Sequence, residues 1–264
     1  MTAHIRLEGV GQEFRTPDRN VIALRDIDLA IRPGELVCLL GPSGCGKSTL
    51  LNAVAGFLRP SAGRIMVDDA PVAGPGPDRG MVFQEYALFP WMTVVDNVAF
   101  GLRVKGLGRA AARRRAMELL ALLGLTDFAD RHPKELSGGM RQRVAIARVL
   151  AIDPPVLLMD EPFGALDALT RRSLQDQLLE LWTKLRKTIL FVTHSIDESI
   201  YLADRIVVMT YRPGTIRRDL AVELSRPRDP SSAAFNALKR ELDQLLMTEQ
   251  HRREEAERQG EGRR

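Results

Sequence analysis

The chain has little cysteine: two residues in 264, Cys38 and Cys45. Neither their spacing nor their setting gives a disulfide framework or a metal-ligand pattern, and Cys38 reads as a small buried hydrophobe. Long hydrophobic runs are also missing. The longest, 36–40, 156–159 and 206–209, stop far short of the ~18 residues needed to cross a bilayer, so any membrane contact is expected through a partner. The N-terminal residues Met1 to Arg6 lack a charged-then-apolar leader pattern, which predicts a cytosolic chain. There is little net charge: 38 Lys and Arg against 34 Asp and Glu leave +4, too mild to indicate a nucleic-acid binder without a motif. Two arginine clusters, Arg109/Arg113/Arg114/Arg115 and Arg252/Arg253/Arg263/Arg264, read as solvated faces. Apolar residues, in contrast, make up 45% of the chain, enough to build the full core of one large α/β domain or two small ones. No internal repeat is visible.

Residues 4–14 and 21–31 alternate apolar and polar side chains as half-buried strands do, and 16–20 between them has turn composition. Short apolar strands are predicted at 36–40, 63–67 and 79–83. From about 85 to 150 the period becomes helical, with helices at 93–104, 109–123 and 137–150 separated by glycines. Alternation then resumes: strand 156–159, helix 169–186, strand 188–192, helix 196–202, strand 205–209. Strands alternating with helices predict a parallel sheet, here interrupted by a helical insertion. An amphipathic helix is predicted at 234–247, and the charged tail 251–264 is expected to be frayed or disordered.

Gly41-Pro42-Ser43-Gly44-Cys45-Gly46-Lys47-Ser48-Thr49 fits the phosphate-binding pattern G-x-x-x-x-G-K-[ST], following an apolar strand and preceding a helix as that pattern requires. Glycines let successive backbone N–H groups turn inward around phosphate oxygens, and the helix N-terminus adds its positive end. Lys47 can reach the terminal phosphates, and the Ser48 hydroxyl is a natural Mg²⁺ ligand. A thiol at Cys45 beside such a site is expected to be open to alkylation when the site is empty. The run 156–161 is an apolar strand ending in Asp160 and Glu161, whose side chains point apart. Asp160 suits the Mg²⁺ shell; Glu161 suits orienting or deprotonating a water for in-line attack on a γ-phosphate.

Between these motifs lies Leu136-Ser137-Gly138-Gly139-Met140-Arg141-Gln142-Arg143, which resembles the L-S-G-G-Q signature of the ATP-binding cassette (ABC) ATPases, with Met140 in place of the usual Gln. A lone S-G-G is ordinarily just a helix start; its order and spacing before 156–161 carry the resemblance. Gln84 resembles the Q-loop glutamine, which reaches Mg²⁺ and the attacking water. Ala165-Leu166-Asp167 resembles the D-loop, and His194 the switch histidine that contacts the γ-phosphate. Phe14 occupies the place of the aromatic, usually Tyr, that stacks on adenine. The resemblance covers about residues 4–225, and its elements appear in the family's order.

The resemblance implies an α/β fold with a P-loop NTPase (RecA-like) parallel-sheet core, an N-terminal antiparallel β subdomain and an inserted α-helical subdomain. It implies an ATPase domain over 4–230, with the helical part at about 85–150, followed by a C-terminal amphipathic helix and charged tail at 231–264. It implies ATP and Mg²⁺, and a head-to-tail homodimer in which Ser137, Gly138, Gly139 and Asp167 of one copy complete the other's ATP site. The run from Leu88 to Val98 looks like that of nitrate, sulfonate, taurine and bicarbonate importer ATPases. By that likeness the partners are two membrane permease subunits and, indirectly, a periplasmic or extracellular solute-binding protein. No nucleic-acid partner is expected, and the location implied is peripheral, on the cytoplasmic side of the membrane. Residues 86–93 are the expected docking lip. The absence of a sizeable domain after residue 230 agrees with this group. The competing expectations are a soluble ABC ATPase and a nucleotide-dependent regulator, neither coupled to transport.

Overall fold

The computed structural model describes residues 2–15 and 20–261, with side chains up to 254. In chain order its strands are β1 (Ile5–Arg15), β2 (Asn20–Ile31), β3 (Leu36–Leu40), β4 (Ala62–Val67), β5 (Ala70–Pro71), β6 (Arg79–Val82), β7 (Val156–Asp160), β8 (Thr188–Thr193), β9 (Arg205–Met209) and β10 (Ile216–Ala221). Its helices are α1 (Lys47–Ala55), α2 (Val94–Val104), α3 (Arg109–Leu122), α4 (Gly138–Ala151), α5 (Ala168–Leu185), α6 (Ile196–Leu202) and α7 (Ala233–Glu261). They divide into two units, one of Pro77–Lys187 and one of Thr2–Gly76 with Thr188–Arg264.

In the second of these units β1 pairs antiparallel with β2 and β4, giving a sheet in the order β2-β1-β4-β5. The alternating burial of β1 is that of a strand with one face on a core. β3 is buried along its whole length and runs parallel to β8 on one side and β9 on the other. Strands covered on both faces need apolar side chains at every position, and Leu36-Val37-Cys38-Leu39-Leu40 supplies them. β10 adds antiparallel to β9. Its sequence, Ile-Arg-Arg-Asp-Leu-Ala, is half-exposed and charged, as suits an edge strand and as hides it from a search for apolar runs.

α6 is short and is held at its C-terminal end from outside. The Arg228 guanidinium, 4% exposed, donates to the carbonyls of Ile200, Tyr201 and Ala203, while its Nε donates to Leu224 O. These satisfy carbonyls that a helix end otherwise leaves orphaned.

In the other unit β6 and β7 run parallel, with Val82 opposite Met159. Three of its helices begin at side-chain caps: Thr93 accepts from Asp96 N, Ser137 from Met140 N and Asp167 from Thr170 N. The expected helix starts at 93 and 137 therefore fall at the cap residues, and that at 169 falls two residues beyond Asp167.

Two expectations change. The expected frayed tail is helical through Glu261, because α7 continues over 251–261, a stretch rich in Arg and Glu, whose helix propensity is high. Positions 262–264 lie outside the described residues, as do 16–19 of the expected hairpin turn; Asn20 is the first residue of β2. No helix among the described residues is long and apolar enough to cross a membrane.

Candidate functional site

The glycine-rich stretch leaves β3 at Leu40 and enters α1 at Lys47. Gly44 and Gly46 have φ of +80° and +99°, the left-handed region that glycine occupies without penalty. The loop is also tightly backed. A Cβ on Gly41 would stand 2.8 Å from Cys45 Sγ, and one on Gly46 would stand 2.7 Å from Leu24 Cδ2. Gly46 begins α1 with no side-chain cap, so the helix presents backbone N–H groups at its positive end.

Lys47 is 5% exposed, and its Nζ donates to Gly41 O at 2.7 Å and Pro42 O at 3.0 Å. The ammonium is thus folded into its own loop against neutral carbonyls. A buried cation held by two carbonyls and the Cys45 sulfur, with no carboxylate among these contacts, fits an anion of phosphate type. Ser43 and Ser48 are exposed; Pro42 and Thr49 are half-buried.

Cys45 is fully buried, and burial pushes its thiol pKa up against the smaller opposing effect of Lys47. The expected open reactivity is therefore corrected: the thiol faces inward, behind the loop, and resists ionisation. Cys38 is likewise buried and raised well above its ordinary value by desolvation.

His194 follows β8 and is exposed. Leu40 is paired with Thr193, so Gly41 and His194 leave the same carboxyl edge of adjacent parallel strands. That edge is where open α/β sheets place ligands. Ser195, next in the chain, caps α6 by accepting from Glu198 N. Phe14 lies near the end of β1 opposite Val21 and is 41% exposed.

The other expected residues belong to the unit of β6 and β7. Asp160 ends β7, and both it and Glu161 are half-buried. Glu161 has φ of +41°, which a non-glycine residue adopts at a cost of about 1–3 kcal/mol. The turn from Glu161 to Asp167 joins β7 to α5. It is held by Arg171, which donates to Phe163 O and Leu166 O at 3.2 and 2.7 Å. Asp167 closes the turn by capping α5. The Thr170 N–H and hydroxyl hold its carboxyl below the ordinary range.

Gln84 is exposed, two residues past β6. The lip after it is shaped by Asn97, fully buried on α2. Its Oδ1 accepts from Phe89 N at 2.8 Å, and its Nδ2 donates to the carbonyls of Phe89, Met92 and Thr93. Arg148 adds a bond to Ala87 O at 2.7 Å and lies 5.2 Å over the Phe89 ring. The result presents Trp91, 71% exposed, beside Phe89 at 5.6 Å between ring centres.

Ser137 and Gly138 begin α4 next to this lip. A Cβ on Gly138 would stand 3.3 Å from Tyr86 Oη, and the Arg141 guanidinium lies 5.4 Å over the Tyr86 ring. Gly139 is buried, and a Cβ there would stand 2.5 Å from Thr170 Cγ2. This second glycine thus has a packing reason to lack a side chain, independent of any phosphate.

Sequence reasoning passed over Asn97, Arg148 and Arg171. Asn97 left a signal, since an amide on the apolar face of α2 must find partners. The two arginines act on carbonyls set by the fold and left none. Among the described residues no group of three or more His, Cys, Asp or Glu is arranged to hold a metal. A Mg²⁺ ion shared between one carboxylate, one hydroxyl and nucleotide phosphates needs no such cluster.

A family model described as ABC transporter matches residues 24–164. The chain is 46% identical over 238 residues to the nitrate import ATP-binding protein NrtD of Synechocystis sp., covering 90% of each chain. It is 47% identical over 224 residues to the taurine import ATP-binding protein TauB of Pseudomonas aeruginosa, covering 85% of each. Among solved structures, a dimeric ATP-binding cassette in a post-hydrolysis state bound to ADP and Pi aligns with a TM-score of 0.75 and 33% identity. That alignment covers 84% of this chain and all of the other.

Proposed function

The chain belongs to the ABC transporter family as an ATP-binding, ATP-hydrolysing cassette of the α/β P-loop fold, and from that premise we propose that it powers uptake of a small oxyanionic or sulfonated solute, of the nitrate or taurine kind, through separate membrane subunits. The observation that carries the reading is the Lys47 ammonium held inside its glycine loop at the strand edge that His194 shares. The likeness to nitrate and taurine import subunits over most of the chain gives it direction. In this reading residues 4–230 form the ATPase domain, with a helical insertion at about 85–150, and 231–264 add a helix and tail.

The phosphates of ATP take up the backbone N–H groups of 41–49 and draw Lys47 away from Gly41 O and Pro42 O. Phe14 offers its exposed ring to adenine. Ser48, Asp160 and Gln84 would hold Mg²⁺, which would supply positive charge to offset that of the phosphates. Glu161 orients and deprotonates the attacking water, and His194 donates to the γ-phosphate. Two copies pack head to tail, so that Ser137, Gly138 and Gly139 of a second copy bring the positive N-terminal end of α4 to the phosphates. Asp167, whose carboxylate already caps α5, contributes by fixing the turn that faces the second copy. The exposed lip around Trp91 docks on a membrane permease subunit, keeping this chain peripheral on the cytoplasmic face. A solute-binding protein completes the system without touching this chain.

Growth tests this reading. A deletion strain is expected to lose growth on nitrate as sole nitrogen source or on taurine or another sulfonate as sole sulfur source, with rescue by the wild-type gene and none by Glu161→Gln. Unchanged growth on the whole panel contradicts the import assignment.

A further inference from the structure

The loop between β9 and β10 is bound to three other parts of its unit. Thr210 closes it: its N–H donates to Thr215 O, and its hydroxyl bonds Pro213 O and accepts from Thr215 N. Gly214 then joins β2 as a short strand would, donating to Ala23 O at 2.9 Å and accepting from Arg25 N at 3.0 Å. A Cβ on Gly214 would stand 2.2 Å from Cys45 O, so the loop backbone presses directly on the glycine-rich stretch. Arg212 adds a bond from Nε to Gly44 O at 3.2 Å. The third attachment is to α7. Glu249, fully buried, accepts from Tyr211 N at 2.8 Å and from Arg252 Nη1 at 2.9 Å, and pairs with Arg217 of β10.

These contacts bear on peptide orientation in the phosphate cradle. In a trans peptide the C=O of one residue and the N–H of the next point opposite ways. Fixing Cys45 O against Gly214 turns the Gly46 N–H to the other side. Arg212 fixes the preceding carbonyl. The loop at 210–215 therefore holds two consecutive peptides of the phosphate-binding turn, and Glu249 holds that loop by the backbone of Tyr211. A buried carboxylate that meets two guanidinium groups and one N–H is a rigid anchor rather than a solvated contact.

We propose that residues 210–215 form a strap that sets the shape of the nucleotide-binding turn, and that Arg212 and Glu249 are positioning residues through which α7 controls nucleotide affinity. This rests on the nucleotide-binding reading above. It assigns to the C-terminal helix a part in binding that none of the expected site residues supplies.

The test measures ADP affinity, ATPase KM and kcat, and the melting temperature of the nucleotide-free full-length chain. The variants are Arg212→Ala, Arg212→Lys, Glu249→Gln and the Arg212→Ala/Glu249→Gln pair, with Lys47→Ala as a binding-dead control. Arg212→Ala is expected to weaken ADP binding and raise KM about fivefold, within the range of a lost charged hydrogen bond, with kcat changed less than twofold. Arg212→Lys, which keeps a cation in reach of Gly44 O, recovers most of the loss. Glu249→Gln also weakens ADP, and the double variant is no weaker than the weaker single, because both act through one strap. The proposal is overturned if Arg212→Ala leaves ADP affinity within twofold of wild type, if Glu249→Gln lowers only the melting temperature, or if the two effects add. Failure of the wild-type chain itself to bind ADP overturns the nucleotide-binding reading and this proposal with it.

Discussion

Replacing Gly139 with alanine separates two reasons why that glycine is present. The added Cβ stands 2.5 Å from Thr170 Cγ2, whereas ordinary contact begins at about 3.4 Å. Close to 1 Å must therefore be found between α4 and α5. Thr170 cannot simply rotate away, because its χ1 is stiff and its N–H and hydroxyl are engaged by Asp167. Overpacking of this kind costs about 1–3 kcal/mol. The gain in helix propensity offsets at most ~1 kcal/mol, less in a first turn. The net expectation is a loss of roughly 1–2 kcal/mol. Thr170→Ser removes only the offending methyl and keeps the hydroxyl; the next atoms, Thr170 Cβ and Leu174 Cδ1, are each 3.9 Å from the new Cβ. In that background Gly139→Ala should be neutral or slightly stabilising. Urea unfolding of the four chains measures the coupling, expected at about 1 kcal/mol or more. If ATPase activity stays low in Gly139→Ala/Thr170→Ser after stability recovers, the glycine also serves close backbone approach to phosphate. An equal stability cost in both backgrounds refutes the steric argument.

Further expectations concern groups that the fold buries or caps. Maleimide should modify Cys45 in the native chain far more slowly than a free thiol at neutral pH, since burial both covers the sulfur and raises its pKa; modification at the free-thiol rate contradicts the placement. Arg228→Met should destabilise the chain by about 2–4 kcal/mol, because carbonyls at the end of α6 lose their donors. Burial lowers the Arg228 pKa only to about 10, so the wild-type guanidinium is charged at neutral pH, and a loss below ~1 kcal/mol on denaturation would show the carbonyls resatisfied. The Asp167 carboxyl, held below its ordinary pKa chiefly by the Thr170 N–H, stabilises α5 above the unfolded-state value and loses that contribution as pH falls through its lowered pKa. Asp167→Asn keeps an acceptor at the cap and should remove this part of the acid dependence of unfolding, which a pH series of melting temperatures reads directly.

How much of this was legible in the sequence depended on whether the signal was local. The glycine-rich turn, the apolar strands around it and the helix starts near 93, 137 and 169 are local, since each is set by neighbours within a few residues. β10 escaped notice because an edge strand needs no apolar run. α7 runs beyond the expected 234–247 because Arg and Glu, whose charge suggests a frayed tail, are also strong helix formers. Long-range contacts left no trace at all. Glu249 meeting Tyr211 N, and Arg212 meeting Gly44 O, join residues far apart in sequence. Gly139 is instructive in another way: its place in a motif suggested phosphate, while the fold adds a second requirement through Thr170. Cys45 shows the converse, since adjacency to the binding turn in sequence did not make its thiol accessible.

The central claim is that ATP hydrolysis needs a site completed by a second copy, and specific activity measured against chain concentration tests it most directly. The account predicts that activity per chain rises with concentration, that Glu161→Gln abolishes turnover while favouring an ATP-bound dimer, and that Ser137→Arg abolishes turnover by blocking the end of α4. Activity that is independent of concentration, or that survives Ser137→Arg, contradicts it.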